Sequence, residues 1–266
     1  MRQVFNMSLF DSMPSRRGAL TLMGAAALAL FGGHSSGGEQ LFGRLIEETR
    51  DTKPLSRRIE VISAALRGKR YRAETLIGGP RKAEVFVTRD DVFDCVTYTE
   101  AVLAAARAAD LPQFEGELRK IRYHNGAVDW RERNHDFAAW SARNVENGVC
   151  RPVALGNSVA IKKVMTDPRA LGRRNYELAG IARASLLAEK AQLQDGDIIG
   201  FISRRAALDY FHCGFVVFGG KGELLLRHAS QSRGRVSDQA MESFFAINGT
   251  QHVTVLRPLE ATESKT

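Results

Sequence analysis

The sequence predicts an α+β fold, with helices first along the chain and an antiparallel sheet after them. Three observations carry that expectation. From Leu41 to about Arg143, apolar residues recur at three- and four-residue spacing, as on a helix with one buried face. From "AEKAQLQDGDIIGFIS" (residues 188–203) onward the period drops to two. The "GGKG" at 219–222 lies between two of these alternating runs and reads as a hairpin turn. At 266 residues the chain is long enough to bury its own core.

In chain order, residues 1–36 read as an export segment and 37–266 as a single domain. "MPSRRGALTLMGAAALALFGGHSSGG" (13–38) has a basic start, a short apolar run from Ala19 to Phe31, and a small polar tail. That run is too short to span a bilayer. Arg16-Arg17 just ahead of an Ala/Gly-rich stretch resembles a twin-arginine signal. Met13 can serve as the start, which makes residues 1–12 an N-terminal extension. No cysteine follows the apolar run to take a lipid anchor. The expectation is an exported protein of the bacterial periplasm or cell envelope, without a stable membrane anchor.

Next come the helices. "LFGRLIEETR", "RRIEVISAALRG" and "CVTYTEAVLAAARAAD" each show the helical period. Asp94 stands just before the third as its N-cap, which puts Cys95 in the first turn. "DIIGFIS", "HCGFVVF", "ELLLRHA" and "HVTVLRP" then read as strands.

Formal charge is +8, which suits an anionic partner. The basic residues are dispersed, however, and no helix-turn-helix, zinc-finger or RNA-recognition pattern occurs, so nucleic acid is not the expected partner. No HExxH or CxxC spacing supports a zinc site, and no metal or organic cofactor is expected. Three cysteines, Cys95, Cys150 and Cys213, form an odd set, so at least one stays a thiol or pairs between chains; a Cys150–Cys213 bridge is open. Cys213 follows His212 on a strand, so its side chain faces the other way, toward a core. Trp130 and Trp140 read as packing residues, and His124 and His252 have no assigned role.

At a helix N-terminus, unpaired N–H groups and the helix dipole favour a thiolate, the nucleophilic form of cysteine. A nucleophile needs a base, and the base an orienting partner. On chemistry alone His124, His135, His212, His228 and His252 are all candidates, and an inert buried cysteine competes with the whole reading.

"FDCVTYTEAVLA", "RNHDFAAW", "LQDGDIIGFIS", "LDYFHCGFVV" and "LLRHAS" occur in the order and spacing of a bacterial N-acetylmuramoyl-L-alanine amidase-like family. The family resembles the NlpC-type branch of papain-like cysteine hydrolases, which act on cell-wall peptides. The likeness runs from about Leu41 to Pro258. It implies a papain-like fold in which one N-terminal helix begins at the catalytic cysteine and packs on a C-terminal sheet. It also implies Cys95 as nucleophile, His212 as general base and His228 as the residue orienting that base. Arg133, His135 and Phe137 fall on a block of the substrate cleft, and "GKRYRAE" places Tyr71 near the thiol. Here the chain departs from the family, with Arg72, Ala73 and Glu74 where a small Gly-Thr-rich stretch is expected. The implied substrate is peptidoglycan or its muropeptides, cut between the muramoyl lactyl group and L-Ala. An endopeptidase cutting within the stem peptide and a silent wall-binding module are the alternatives.

If His228 orients His212, both rings must leave the same sheet face. Placing them directly opposite centres the hairpin turn on Gly220, with a loop of 219–221 or 218–222, and brings the His212 ring within hydrogen-bonding reach of Cys95.

Overall fold

In the computed structural model, residues 37–169 and 172–261 are described; the export segment expected at 1–36 lies outside them. The first helices follow the apolar spacing. Helix α1 (Gly37–Thr49) buries Phe42, Leu45 and Ile46, and α2 (Leu55–Ala65) buries Leu55, Ile59 and Ile62. Four short strands come next: β1 (Arg70–Tyr71), β2 (Ile77–Gly79), β3 (Lys82–Val85) and β4 (Val92–Phe93). They are a departure from the helical reading of this half, because strands of two to four residues carry no measurable period.

Helix α3 (Cys95–Arg107) is buried almost all round, its alanines 104–106 letting neighbours approach closely. Helices α4 (Leu111–Arg122) and α5 (Phe137–Glu146) complete the helical layer, each capped by an aspartate, Asp110 and Asp136.

The second half supplies β5 (Cys150–Pro152), β6 (Ser158–Thr166), β7 (Arg173–Ala182), α6 (Arg183–Ala188), β8 (Ile198–Ile202) and β9 (Tyr210–Phe218). It ends with β10 (Leu224–Ser230), β11 (Arg235–Ala240), α7 (Met241–Asn248) and β12 (His252–Pro258). The strands join as β4-β1-β11-β10-β9-β8-β12-β7-β6, with β5 beside β12. All neighbours are antiparallel except β1 and β4. The fold is α+β as expected, but the sheet also recruits β1 and β4 from the N-terminal half.

Strand alternation sorts side chains to two cores. Cys213 and Phe215 of β9 and Ile198 and Ile202 of β8 join the core shared with α1–α5. Phe201 and Val216 of those strands join the other core, with Leu226, Phe244 and Phe245. The Cys150–Cys213 bridge that the sequence leaves open does not form: both thiols are free, as is Cys95.

The β9–β10 ladder runs from Leu224↔Phe218 to Arg227↔Phe215. Its turn therefore centres on Lys221, one residue beyond the expected Gly220, and the loop is 219–223. Two backbone bonds close it, Gly219 N–H to Glu223 O and Gly222 N–H to Gly219 O, with Gly222 at φ +73°. An odd loop preserves parity, so His212 and His228 still share a face. They are diagonal rather than directly opposed.

Candidate active site

Asp94 caps α3 through a reciprocal pair of bonds. Its carboxylate accepts from the Thr97 N–H at 2.8 Å, and its own N–H donates to Thr97 Oγ1 at 3.0 Å. Thr75 braces the cap, donating its hydroxyl to Asp94 Oδ2 at 3.1 Å. Burial raises the Asp94 pKa, and the neighbouring Cys95 charge adds to it. Cys95 is thus pinned at the first position of a rigid, capped helix, half-buried.

Its thiol pKa lies well below the ordinary value. The largest cause is a hydrogen bond from the Cys213 thiol; burial opposes it, while a hydrogen bond and positive charge from His212 and the Cys213 backbone N–H reinforce it. Cys213 moves the opposite way, raised by burial and by the Cys95 charge, with Thr99 Oγ1 at 3.7 Å from its sulfur. The proton therefore stays on Cys213 and the negative charge on Cys95. Strand alternation sends Cys213 to the helix-side core, as expected, and that is the face on which Cys95 lies.

The sheet opens where the thiol meets it. The β9–β10 pairing stops at Phe215 and Arg227, while β8–β9 continues to Phe201↔His212 and β10–β11 continues past His228↔Ser237. Phe211 is the extra residue of a bulge between β8 and β9, a device that re-aims neighbouring side chains. Gly214 makes the crossing possible, since a Cβ there would stand 2.7 Å from Arg227 O and 2.9 Å from His228 Cβ.

His212 Nε2 lies 2.5 Å from His228 Nδ1, the rings edge to face. Phe244 packs against both, at 5.4 and 5.5 Å between centroids. Burial, then the charges of His212 and Arg233, push the His228 pKa down to about 3, so this ring is neutral.

Two cavities flank this centre. The first, about 300 Å³, is lined by Cys95, Tyr71, Glu74, Arg133, His135 and Phe137, among others. The second, about 340 Å³, is lined by His212, His228, Ser230, Gln239, Phe244 and Ile247, among others. Tyr71 is close enough to the thiol for burial and the Cys95 charge to raise its pKa. His135 donates from Nε2 to the Trp130 carbonyl at 2.7 Å, and burial lowers its pKa, which leaves a neutral ring with Nδ1 as an acceptor. Arg133 lines the first cavity, but its Nε and Nη2 are bound to the carboxylate of Glu84. Tyr123 also donates to Glu84, at 2.8 Å. Glu84 carries no sequence signal for this role. Neither does the buried Glu100–Arg122 pair in the cavity wall (2.7 Å), since a lone carboxylate inside a helix reads as solvent-facing. His124 bonds Glu132 at the surface, away from the thiol.

A model of the N-acetylmuramoyl-L-alanine amidase-like family matches residues 61–248, a span containing Tyr71, Cys95, Arg133, His135, His212 and His228. Among solved structures, a Legionella pneumophila protein of family DUF1460 is 21% identical, with a TM-score of 0.73 over 84% of this chain and 95% of that one. An N-acetylmuramoyl-L-alanine amidase from Bacteroides uniformis is also 21% identical, with a TM-score of 0.67 over 77% of this chain and 99% of that one. At such identities the likeness shows a shared fold. No curated protein matches the chain. The family match covers well over half of the sequence and encloses both halves of the site, and the chain belongs to the N-acetylmuramoyl-L-alanine amidase-like family.

Proposed function

We propose that this protein is a papain-like, NlpC-type cysteine hydrolase of peptidoglycan that cuts the amide between the muramoyl lactyl group and L-Ala. The observation that carries this reading is a cysteine on a capped helix N-terminus, its pKa held well below the ordinary value by Cys213 and by His212, the first of two linked histidines. The Cys95 thiolate attacks the lactyl carbonyl carbon, and His212 then protonates the leaving L-Ala nitrogen as the C–N bond breaks. A water, deprotonated by His212, attacks the thioester and releases the lactyl carboxylate with the Cys95 thiolate. His228 holds the His212 ring in orientation throughout.

Thr97 N–H is taken by Asp94, which leaves the N–H groups of Cys95 and Val96 as oxyanion donors. Tyr71 and the His135 Nδ1 face the substrate. Arg133 offers it the Nη1 that Glu84 does not engage. The reading needs no metal or organic cofactor. Peptidoglycan stem peptides carry carboxylates, which suits a chain of positive formal charge.

Mass spectrometry of defined muropeptides after digestion tests the reading. The expected products are a free stem peptide beginning at L-Ala and a sugar with a free lactyl carboxylate. Cleavage within the stem would make the protein an endopeptidase, and no cleavage would overturn the reading. Export is proposed on sequence alone: residues 13–38 should carry a reporter out of the cytoplasm, and Arg16-Arg17→Lys-Lys should block it. Unimpaired export of the Lys-Lys form would rule out the twin-arginine route.

A further inference from the structure

The two nitrogens of His228 have unlike surroundings. Nδ1 meets His212 Nε2 at 2.5 Å. Nε2 is sealed from solvent and has no hydrogen-bond partner of good geometry. When His212 is an imidazolium facing the Cys95 thiolate, both of its nitrogens carry protons. Its Nε2–H must then be received by a bare His228 Nδ1, because two N–H groups cannot face each other at that distance. His228 is neutral, so its single ring proton belongs on Nε2. A buried N–H requires an acceptor, and water cannot reach this one.

Strand register points to the acceptor. β10 and β11 pair Leu226 with Gln239 and His228 with Ser237, so Gln239 is the diagonal neighbour of His228 on the same face. Gln239 is 8% exposed and lines the same cavity as the histidines. The nearby Gln239 amide and the charge of Asp238 both hold the His228 pKa up against burial. Two other hydroxyls lie near. Ser230 Oγ is engaged with Ser232 Oγ at 3.2 Å and the Arg233 N–H at 3.3 Å. Ser237 Oγ is buried without a partner, but this short side chain ends level with the base of the imidazole. A glutamine extends from its strand about as far as Nε2 does from its own.

We propose that Gln239 is a positioning residue whose Oε1 accepts a hydrogen bond from the Nε2–H of His228, keeping Nδ1 bare to accept the hydrogen bond of His212. The site is then a chain of four side chains, Cys95, His212, His228 and Gln239, in which a neutral amide sets the tautomer of a neutral histidine. The inference rests on the reading of Cys95 and His212 as the reactive pair.

Long-range ¹H–¹⁵N spectra of the full protein distinguish the two histidine tautomers directly. The wild type should show His228 protonated on Nε2. In Gln239→Leu the Nε2–H form should give way to a mixture, with kcat on muropeptides falling at least tenfold while KM stays within twofold. Gln239→Glu keeps an acceptor and should restore the Nε2–H form and most of kcat. Ser237→Ala should leave the tautomer as in the wild type. A wild-type His228 protonated on Nδ1 would overturn the proposal, as would Gln239→Leu with unchanged tautomer and kcat. Transfer of the whole effect to Ser237→Ala would overturn it too. Should the wild type cleave no muropeptide, the peptidoglycan reading fails, and the spectra still decide the role of Gln239.

Discussion

The two cavities beside Cys95, His212 and His228 differ most in charge. Around Cys95 the walls include Glu74, Asp94, Glu100, Arg122, Arg133 and Asp136. Among the described residues, no Asp, Glu, Lys or Arg lines the cavity around His212 and His228, which is walled by Phe211, Phe244, Ile247, amides and hydroxyls. The same sheet thus presents Cys95 to charged walls and the two histidines to uncharged ones. On the Cys95 side, fixed donors stabilise an anion in place. On the histidine side, burial keeps His228 neutral, so that it accepts a hydrogen bond from a protonated His212 without taking the charge.

The largest effect should come from the charged side. Cys95→Ala should lower muropeptide hydrolysis at least about 10³-fold, while thermal unfolding shows stability changed by less than about 1 kcal/mol. Retained activity would end the thiolate reading.

On the neutral side, Phe244→Ala opens the enclosure. Phe244 is buried against Phe201 at 4.4 Å between centroids as well as against both histidines. Denaturant unfolding should show a loss of about 3 kcal/mol. The same variant should let His228 take a proton more easily, extending the acid sensitivity of activity upward. A loss of stability with an unmoved pH profile would separate packing from enclosure.

The neutrality of His228 also has a sign in stability. Its folded pKa of about 3 lies below the unfolded value of about 6.5. Between those values the unfolded chain binds the proton that the native ring refuses, so stability rises with pH across that window. The contribution is complete above about pH 6.5 and is lost as pH falls toward 3. A series of melting temperatures should show that slope, flattened in His228→Asn.

A smaller effect tests the donors to the thiolate. Cys213→Ala removes the thiol that contributes most to lowering the Cys95 pKa. Iodoacetamide labelling of Cys95 at mildly acidic pH should slow by about tenfold, and Cys213→Ser, which keeps a donor, should slow it less. Equal rates in the wild type and Cys213→Ala would assign the low pKa to His212 and the helix terminus instead.

The smallest effect concerns the cavity rim. Glu74 stands at φ +56°, a left-handed conformation suited to glycine. Glu74→Gly should keep the fold and shift stability by less than about 1 kcal/mol, relief of strain being offset by the freer unfolded chain. Calorimetry reads both the sign and the size.

Local pattern alone determined a good deal of this protein. The periods of α1, α2 and α3, the Asp94 cap that places Cys95, and the alternation in β8, β9, β10 and β12 all rest on neighbouring residues, so they are legible without a partner. Parity along β9 and β10 likewise put His212 and His228 on one face and Cys213 on the other. The long β6–β7 hairpin escaped notice because its buried positions include Lys163, whose ammonium is satisfied by the carbonyls of Ser203 and Arg205. Its burial follows from a distant loop, not from its own side chain. The same reason covers the rest. That Cys213 faces a core was local information; that this core presents Cys95 was not. Arg133 was legible as a cleft residue, yet its attachment to Glu84 spans 49 positions. Which element lies against a given face is decided by long-range packing, where burial forces each polar group to find a partner wherever the chain supplies one. The opening between β9 and β10, the meeting of two thiols beneath it, and the enclosure of His228 by Phe244 and Gln239 exist only in the folded chain.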